Sequence, residues 1–273
     1  MSPQAKWPLN DGNEMPILGF GLYLTKPGME SIQSIQTALE AGYRHFDTAA
    51  LYKNESELGK VILQNNIPRE DVFITTKLWN ADHGYDEALK AFDESLEKLK
   101  MDYVDLYLIH WPVEEKRKDS WKALMRIKEE GRAKSIGVSN YTIRHLEELL
   151  QTSSEKPVVN QVEFHPFLYQ QELLAFCEEN KIQLQAYSPL TRGKRLDNPV
   201  IVNIAEKYKK TPAQIMLRWS LQHQVVPIVK SATPHRIVEN SLIFDFDIAK
   251  EDMTMLDSLR DNIRVTWDPT DVK

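Results

Sequence analysis

The sequence predicts an α/β protein, a (β/α)8 TIM barrel preceded by a short β-hairpin. Eight short apolar or β-branched segments recur along the chain, and their starting points lie 24 to 43 residues apart. Amphipathic helical patterns separate these segments, and no tight hairpin signal joins them, which favours a parallel sheet. Eight such units in a chain of 273 residues agree with the roughly 250 residues that a closed barrel needs.

The predicted hairpin comes first. Trp7–Leu9 and Glu14–Pro16 have the pattern of two strands, and an Asp-Gly pair between them is a strong turn signal. The barrel strands are expected to begin near Ile17, Arg44, Val72, Val104, Lys134, Val158, Ile182 and Val225. Pro227 interrupts the last of them. Because proline cannot donate to a strand ladder, we expect a bend or an unpaired amide at that point.

Helices are predicted between the strands. Apolar residues repeat every three or four positions in segments 31–39, 89–99 and 201–208, which is the period of an amphipathic helix. Thr211 followed by Pro212 is typical of a helix start, with threonine as the N-cap. No linker, internal repeat or low-complexity tract interrupts the chain. We therefore predict one domain over residues 1–273.

Composition excludes several classes of protein. The net charge is −6, and an acidic chain is a poor nucleic-acid binder because phosphate neutralisation needs clustered lysine and arginine. The longest apolar runs fall short of the roughly 18 residues of a membrane helix, and residues 1–7 lack the apolar core of a secretory signal. We expect a cytoplasmic protein without nucleic-acid or membrane partners.

Cysteine and histidine usage gives no sign of a metal site. Cys177 is the single cysteine, so no intrachain disulfide can form, and its apolar helical surroundings predict a buried thiol. The seven histidines show no metal-ligand spacing, so no metal is predicted.

Polar residues lie at the ends of three consecutive predicted strands. Asp47 ends the second strand, Lys77 the third and His110 the fourth, and Tyr52 lies five residues beyond Asp47. Each of the strand-end residues alone is usually a cap or a satisfied polar group. Together they indicate a catalytic set, because barrel active sites lie where strands end and a buried Asp or Lys is costly unless paired.

The chemistry of these four residues is complementary. A free tyrosine has a pKa of about 10, and a neighbouring lysine ammonium is expected to lower that pKa by stabilising the phenolate. Asp47 would hold the lysine charged, and a neutral His110 could orient the substrate oxygen. The set predicts a tyrosine general acid that protonates the developing alkoxide when hydride reduces a C=O group.

Four segments resemble signatures of the aldo-keto reductase family, in its order and spacing. They are Gly42–Glu55, Val104–Pro112, Ile136–Asn140 with Asn160–Glu163, and Lys230–Asn240. The resemblance extends from about Leu9 to about Asp247. It implies an NADPH-dependent reduction of aldehydes or ketones by a monomer, with Tyr52 as proton donor, Lys77 and Asp47 as the pair that tunes it, and His110 as the residue that orients the carbonyl.

The resemblance also implies a binding site for NADPH or NADP+. Its contacts would be Ser139, Asn140 and Gln161 to the carboxamide, Tyr187 stacked on the nicotinamide, Ser188 and Leu190 to the pyrophosphate, Lys230, Ser231 and Arg236 to the 2′-phosphate, and Glu239 and Asn240 to the adenine. Two cations near one phosphate favour NADPH over NADH. The chain has no complete GxGxxG pattern, so a Rossmann domain is not predicted.

Short loops suggest an open substrate pocket, like that of the family's microbial branch. Tyr23, Trp79 and Trp111 would be its apolar walls, although each aromatic alone would more often be a core-packing residue. Trp267 could fold over the barrel mouth, and 192–195 could cover the pyrophosphate or form a solvated loop. The substrate stays open among aldehydes, sugars, keto acids, diketones and quinones. The alternative is a reductase-fold subunit that binds the cofactor, or serves as structure, without significant turnover.

Overall fold

The computed structural model describes residues 4–273. Residues 1–3 lie outside it, and with them part of the segment that the secretory-signal prediction concerns. The strands are β1 (Lys6–Pro8), β2 (Glu14–Pro16), β3 (Gly19–Gly21), β4 (His45–Asp47), β5 (Phe73–Leu78), β6 (Val104–Ile109), β7 (Ala133–Ser139), β8 (Val159–Glu163), β9 (Gln183–Tyr187) and β10 (Val226–Val229). The helices are α1 (Met29–Glu40), α2 (Glu55–Gln64), α3 (Tyr85–Leu99), α4 (Arg117–Glu129), α5 (Ile143–Thr152), α6 (Gln171–Glu179), α7 (Pro199–Tyr208), α8 (Pro212–Gln222), α9 (Pro234–Ser241) and α10 (Lys250–Asp257).

Strands β3 to β10 close into a parallel barrel in chain order, and β10 pairs with β3. The predicted fold class is confirmed. Each barrel strand begins within two residues of its expected start. Strand β10 continues through Pro227, which pairs in register with Ala186 of β9. The β10–β3 ladder begins only at Ile228, after the residue that has no N–H to donate, so the proline is accommodated without breaking the strand.

The hairpin covers the N-terminal end of the barrel. Strands β1 and β2 pair antiparallel, as predicted, and the Met15 side chain of β2 is fully buried. It packs in an apolar cluster with Phe73, Val159 and Val226, the first residues of β5, β8 and β10. With this end closed, the C-terminal end of the barrel is left for a site.

The helices surround the barrel and bury their apolar stripes against it. Leu39 of α1, Phe92 and Leu99 of α3 and Ile204 of α7 are buried, in agreement with the helical periodicity. Thr211 is the N-cap of α8: its hydroxyl accepts from the Gln214 amide at 3.3 Å, and the Gln214 side chain accepts from the Thr211 amide at 3.0 Å. This reciprocal pair satisfies two N–H groups that a helix start leaves free.

Cys177 is buried, as expected, and burial raises the pKa of its thiol to about 12. Across residues 4–273, every helix is too short or too polar to cross a membrane.

Candidate active site

Lys77 lies at the centre of the polar cluster that the strand ends bring together. Its ammonium donates to Asp47 Oδ1 at 2.5 Å, to the Thr48 carbonyl at 2.8 Å and to the Tyr52 hydroxyl at 3.3 Å. All three N–H groups of the lysine therefore have partners. Asp47 ends β4, and Tyr52 lies on a short 3-10 turn, Ala50–Tyr52, that follows it. The turn brings the phenol hydroxyl within reach of the Lys77 ammonium.

Burial dominates the electrostatics of this cluster. Burial lowers the pKa of Lys77, and the Asp47 carboxylate opposes that shift. Burial also raises the pKa of Tyr52 well above its usual value, and the Asp47 carboxylate adds to the increase. The expectation of a lowered Tyr52 pKa is therefore wrong for this site, because burial and then the Asp47 carboxylate both raise it. The phenol holds its proton throughout the neutral pH range.

His110 follows β6 and faces Tyr52. The two ring centroids are 5.6 Å apart and the planes are nearly perpendicular, and Trp79 packs edge-on against the same imidazole at 5.2 Å. Burial, and then the Lys77 ammonium, hold the pKa of His110 well below its usual value. The imidazole is neutral at physiological pH and can donate one N–H to a substrate oxygen.

A cavity of about 810 Å³ opens above these residues. All predicted site residues line it except Lys77 and Trp79. Those that do are Tyr23, Asp47, Tyr52, His110, Trp111, Ser139, Asn140, Gln161, Tyr187, Ser188, Leu190, Lys230, Ser231, Arg236, Glu239 and Asn240. Lys77 is fully buried and reaches the cavity through Tyr52, and Trp79 contacts His110. The strand ends and the segment Lys230–Asn240 thus contribute to one site.

Hydrogen bonds connect the middle of the cavity to the catalytic cluster. The Tyr187 hydroxyl donates to Asn140 Oδ1 at 2.7 Å, and the Asn140 amide nitrogen donates to the His110 carbonyl at 2.9 Å. Gln161 Nε2 donates to Asp47 Oδ2 at 2.8 Å. Asn140 and Ser188 have φ values of 63° and 49°, in the left-handed region that non-glycine residues seldom adopt. Backbone strain of this kind is concentrated at functional sites.

The far wall of the cavity carries positive charge. Lys230 and Arg236 both line it, and within residues 4–273 neither forms a salt bridge. Burial lowers the pKa of Lys230, and Glu30 opposes the shift. Glu239 is held by the N-cap of α8, since its carboxylate accepts from the Thr211 hydroxyl at 3.0 Å. Two cations that form no salt bridge within residues 4–273 suit an anion such as phosphate.

The structure adds site residues that the sequence did not predict. The start of α8, residues 211–213, lines the cavity together with Leu24, Leu51 and Leu196. The Thr-Pro pattern predicts the helix start, but nothing in that local pattern connects it to a site. Arg192 also lines the cavity, whereas Arg195 forms a salt bridge with Asp261 at 2.5 Å. Coverage of the pyrophosphate by Arg192 therefore stays a prediction, whereas Arg195 is held by Asp261.

The C-terminal tail folds over the mouth. Trp267 lines the cavity with its ring centroid 6.2 Å from Trp111. Glu163, the fully buried last residue of β8, anchors this segment, because its carboxylate accepts from the amides of Val265 at 2.7 Å and Thr266 at 3.1 Å. Burial opposes ionisation of Glu163, but its hydrogen bonds, including one from His165, hold its pKa below the ordinary value. The motif Asn160–Glu163 includes this anchor, but its local sequence gives no sign of the contact with the tail.

Comparison with known proteins gives consistent matches over nearly the full length. Residues 18–261 match the profile of the Aldo/keto reductase family. Glyoxal reductase of Bacillus subtilis is 50% identical over 264 residues, which cover 97% of this chain and 96% of that protein. Methylglyoxal reductase DkgA of Escherichia coli is 45% identical over 265 residues, or 96% and 95%. The crystal structure of a Bombyx mori aldo-keto reductase in complex with NADP has a TM-score of 0.90 at 36% identity, over 97% of this chain and 96% of that one.

Proposed function

The chain belongs to the aldo/keto reductase family, and on that basis we propose that it reduces small aldehydes and ketones to alcohols with NADPH, with Tyr52 as the proton donor. One observation carries the proposal. The protonated Tyr52 phenol lies 3.3 Å from the buried Lys77 ammonium, beside a neutral His110 and in the same cavity as Lys230 and Arg236. This is the combination that hydride reduction of a carbonyl needs.

The cavity fits a phosphorylated dinucleotide. Lys230 and Arg236 offer two cations without salt bridges in residues 4–273 at one end, and Tyr187 offers a ring near Asn140 at the other. When bound, NADPH supplies the hydride. The residues that would hold it are Ser139, Asn140, Gln161 and Tyr187 at the nicotinamide, Ser188 and Leu190 at the pyrophosphate, Lys230, Ser231 and Arg236 at the 2′-phosphate, and Glu239 and Asn240 at the adenine.

The protein's own side chains carry out the other steps of the proposed reaction. His110 donates an N–H to the carbonyl oxygen and so orients and polarises it. Tyr52 gives its proton to that oxygen as negative charge develops. Lys77, fixed by Asp47 and the Thr48 carbonyl, then stabilises the phenolate that remains. The high pKa of the resting Tyr52 phenol keeps it protonated before the reaction. The Lys77 ammonium is already in place, and it stabilises the negative charge once that charge has moved onto the phenolate.

The substrates that we propose are α-oxoaldehydes. Two relatives are named as reductases of glyoxal and methylglyoxal. In this chain, Trp111 and Trp267 line the cavity and Trp79 packs edge-on against His110, so apolar rings lie beside the polar catalytic residues. A small dicarbonyl fits such a pocket, because one carbonyl oxygen can reach Tyr52 and His110 while the other points toward the open side of the cavity.

A substrate panel tests the proposed function. Purified protein would be mixed with NADPH and with glyoxal, methylglyoxal, a simple aldehyde, a sugar and a quinone, and NADPH absorbance would be followed. We expect the largest kcat/KM for the α-oxoaldehydes. NADPH binding without oxidation by any carbonyl would instead support the alternative of a cofactor-binding subunit. One domain, a monomeric state and a cytoplasmic location remain predictions, and gel filtration would test the second.

A further inference from the structure

Asn54 connects three segments that surround the proposed proton donor. It is fully buried, and it is not one of the residues that line the cavity. Its side-chain oxygen accepts from the Thr48 hydroxyl at 2.7 Å. Its amide nitrogen donates to the Leu22 carbonyl at 3.0 Å and to the Thr25 carbonyl at 3.4 Å. Both ends of the amide are therefore engaged by neighbouring loops.

The place of Asn54 in the chain would ordinarily give it a different role. It is the N-cap of α2, where an asparagine side chain usually accepts a hydrogen bond from the first turn of the helix. Its side chain makes no such bond. Asn198, the N-cap of α7, shows the usual arrangement, since its side chain accepts from the Val200 amide at 3.0 Å. The side chain of Asn54 therefore serves the loops of the site instead of the helix start.

The bond between Thr48 and Asn54 closes the loop that carries Tyr52. Thr48 follows β4, the chain then forms the short turn Ala50–Tyr52, and Asn54 ends the loop. Lys53, directly after Tyr52, has a φ of 57° in the left-handed region. A non-glycine residue keeps such a conformation only where the surrounding contacts hold it. The bond across the base of the loop is one of these contacts.

The position of this loop determines the contact between Tyr52 and Lys77. Their hydrogen bond of 3.3 Å is the longest of the three that the ammonium donates, so a small shift would take it out of range. The other two partners are held independently of the loop. Asp47 belongs to β4, and the Thr48 amide donates to the Thr75 carbonyl at 2.9 Å. A change in the loop would therefore move Tyr52 and leave Lys77 in place.

The amide nitrogen of Asn54 fixes a second loop, which carries Tyr23. Leu22 and Thr25 flank this tyrosine, and their carbonyls accept from Asn54. The ring centroids of Tyr23 and Tyr52 are 5.1 Å apart. The phenol of Tyr52 thus packs against a ring whose loop is held by the same asparagine, and loss of Asn54 would free both loops together.

We propose that Asn54 is a positioning residue that keeps the Tyr52 hydroxyl beside the Lys77 ammonium for proton transfer. It acts through the two loops, because the side chain itself is buried behind the cavity wall. This inference rests on the proposed function, since it requires Tyr52 to be the proton donor. Loss of the side chain should slow the chemical step and leave cofactor binding intact.

The test uses Asn54→Ser, a variant that should fold because serine is also a preferred N-cap and can cap α2. Its single short hydroxyl cannot replace three hydrogen bonds. Single-turnover oxidation of NADPH by methylglyoxal would be measured by stopped flow in H2O and in D2O. We expect the rate constant to fall about tenfold or more, because a misplacement of about 1 Å can cost about 10²-fold. The solvent isotope effect should increase, since transfer of the Tyr52 proton then limits the rate, and the Kd of NADPH should stay unchanged.

Asn10→Ser is the matched control. Asn10 also joins two backbone carbonyls through its amide nitrogen, those of Pro157 at 3.0 Å and Lys181 at 3.1 Å, at the hairpin end of the barrel. The substitution removes the same kind of hydrogen bond far from Tyr52. Both the rate constant and the solvent isotope effect should equal those of the wild type.

Thr48→Val is a second variant, for use if circular dichroism shows that Asn54→Ser does not fold. It removes the hydroxyl that closes the loop, and it keeps the backbone carbonyl that accepts from Lys77. Asn54 retains its two carbonyl partners in this variant. We therefore expect a smaller fall in the rate constant, of about threefold, again with a larger solvent isotope effect.

Three results would overturn the inference alone. The first is a wild-type rate constant in Asn54→Ser, or in Thr48→Val where only that variant folds; a smaller amplitude at this rate constant would show a partly unfolded sample. The second is a slower rate with an unchanged isotope effect, because proton transfer is then not the step affected. The third is an equal fall in Asn10→Ser. A wild type that oxidises NADPH with no carbonyl overturns the proposed function, and the inference with it.

Discussion

Replacement of Lys77 by methionine removes one half of a buried ion pair. The Lys77 and Asp47 side chains are 0% and 4% exposed, and their charged atoms are 2.5 Å apart. Methionine fills similar space but leaves the Asp47 carboxylate without its cation. An uncompensated charge from a broken buried pair costs about 3–5 kcal/mol. We therefore expect the free energy of unfolding to fall by about 4 kcal/mol, and Tm by about 10 °C for a chain of this size.

A double variant separates the charge from the packing. Asp47→Asn added to Lys77→Met removes the stranded carboxylate, so we expect it to restore about half of the lost stability rather than add to the loss. Urea and thermal unfolding at pH 7, followed by circular dichroism, measure Lys77→Met, Asp47→Asn and the double variant. Lys122→Met is the control, because Lys122 pairs with Asp119 on the surface, where both side chains are more than half exposed. Its loss should stay within about 0.5 kcal/mol.

The reasoning is refuted if Lys77→Met destabilises no more than Lys122→Met. It is also refuted if the double variant loses the sum of the two single effects, because the Lys77 and Asp47 charges would then be energetically independent.

Three further predictions concern pH, cofactor choice and the tail. Burial lowers the pKa of His45 to about 4, so the unfolded chain, with an ordinary value of about 6.5, binds more protons between these values. His45 should therefore contribute a loss of about 3 kcal/mol of stability as pH drops from 7 to 4, and His45→Gln should remove that part of the slope in urea titrations; an equal slope contradicts the assignment. Lys230→Met should raise the Kd of NADPH by about tenfold or more and hardly change that of NADH, measured by fluorescence titration; equal losses would argue against a phosphate site. Trp267→Ala should raise KM for methylglyoxal several-fold in steady-state assays and leave the Kd of NADPH unchanged; an unchanged KM would remove the tail from the substrate pocket.

The fold was largely predictable because its signals are local. Strands buried on both faces form short apolar runs, and helices on the outside show a period near 3.6, so each unit of the barrel can be recognised within about thirty residues. The polar residues at or next to the ends of β4, β5 and β6 could be predicted for the same reason, since closure of the barrel brings consecutive strand ends together.

The parts that were missed depend on contacts between distant residues. Glu163 anchors Thr266 across 103 residues, and Asn54 meets Leu22 across 32. No periodicity connects such pairs. The raised pKa of Tyr52 was missed for a related reason, because the degree of desolvation depends on how closely the surrounding strands and the His110 ring pack around the phenol. A charge can be identified from the sequence, whereas its local solvation cannot.

The central claim is that Tyr52 supplies the proton. Single-turnover oxidation of NADPH by methylglyoxal, measured by stopped flow for the wild type and Tyr52→Phe, tests it most directly. The phenylalanine keeps the ring packed against His110 and removes only the hydroxyl. We expect the rate of NADPH oxidation to fall by about 10²–10⁴-fold, the usual contribution of a general acid, while the Kd of NADPH stays within about twofold. A Tyr52→Phe variant that retains the wild-type rate would contradict the claim.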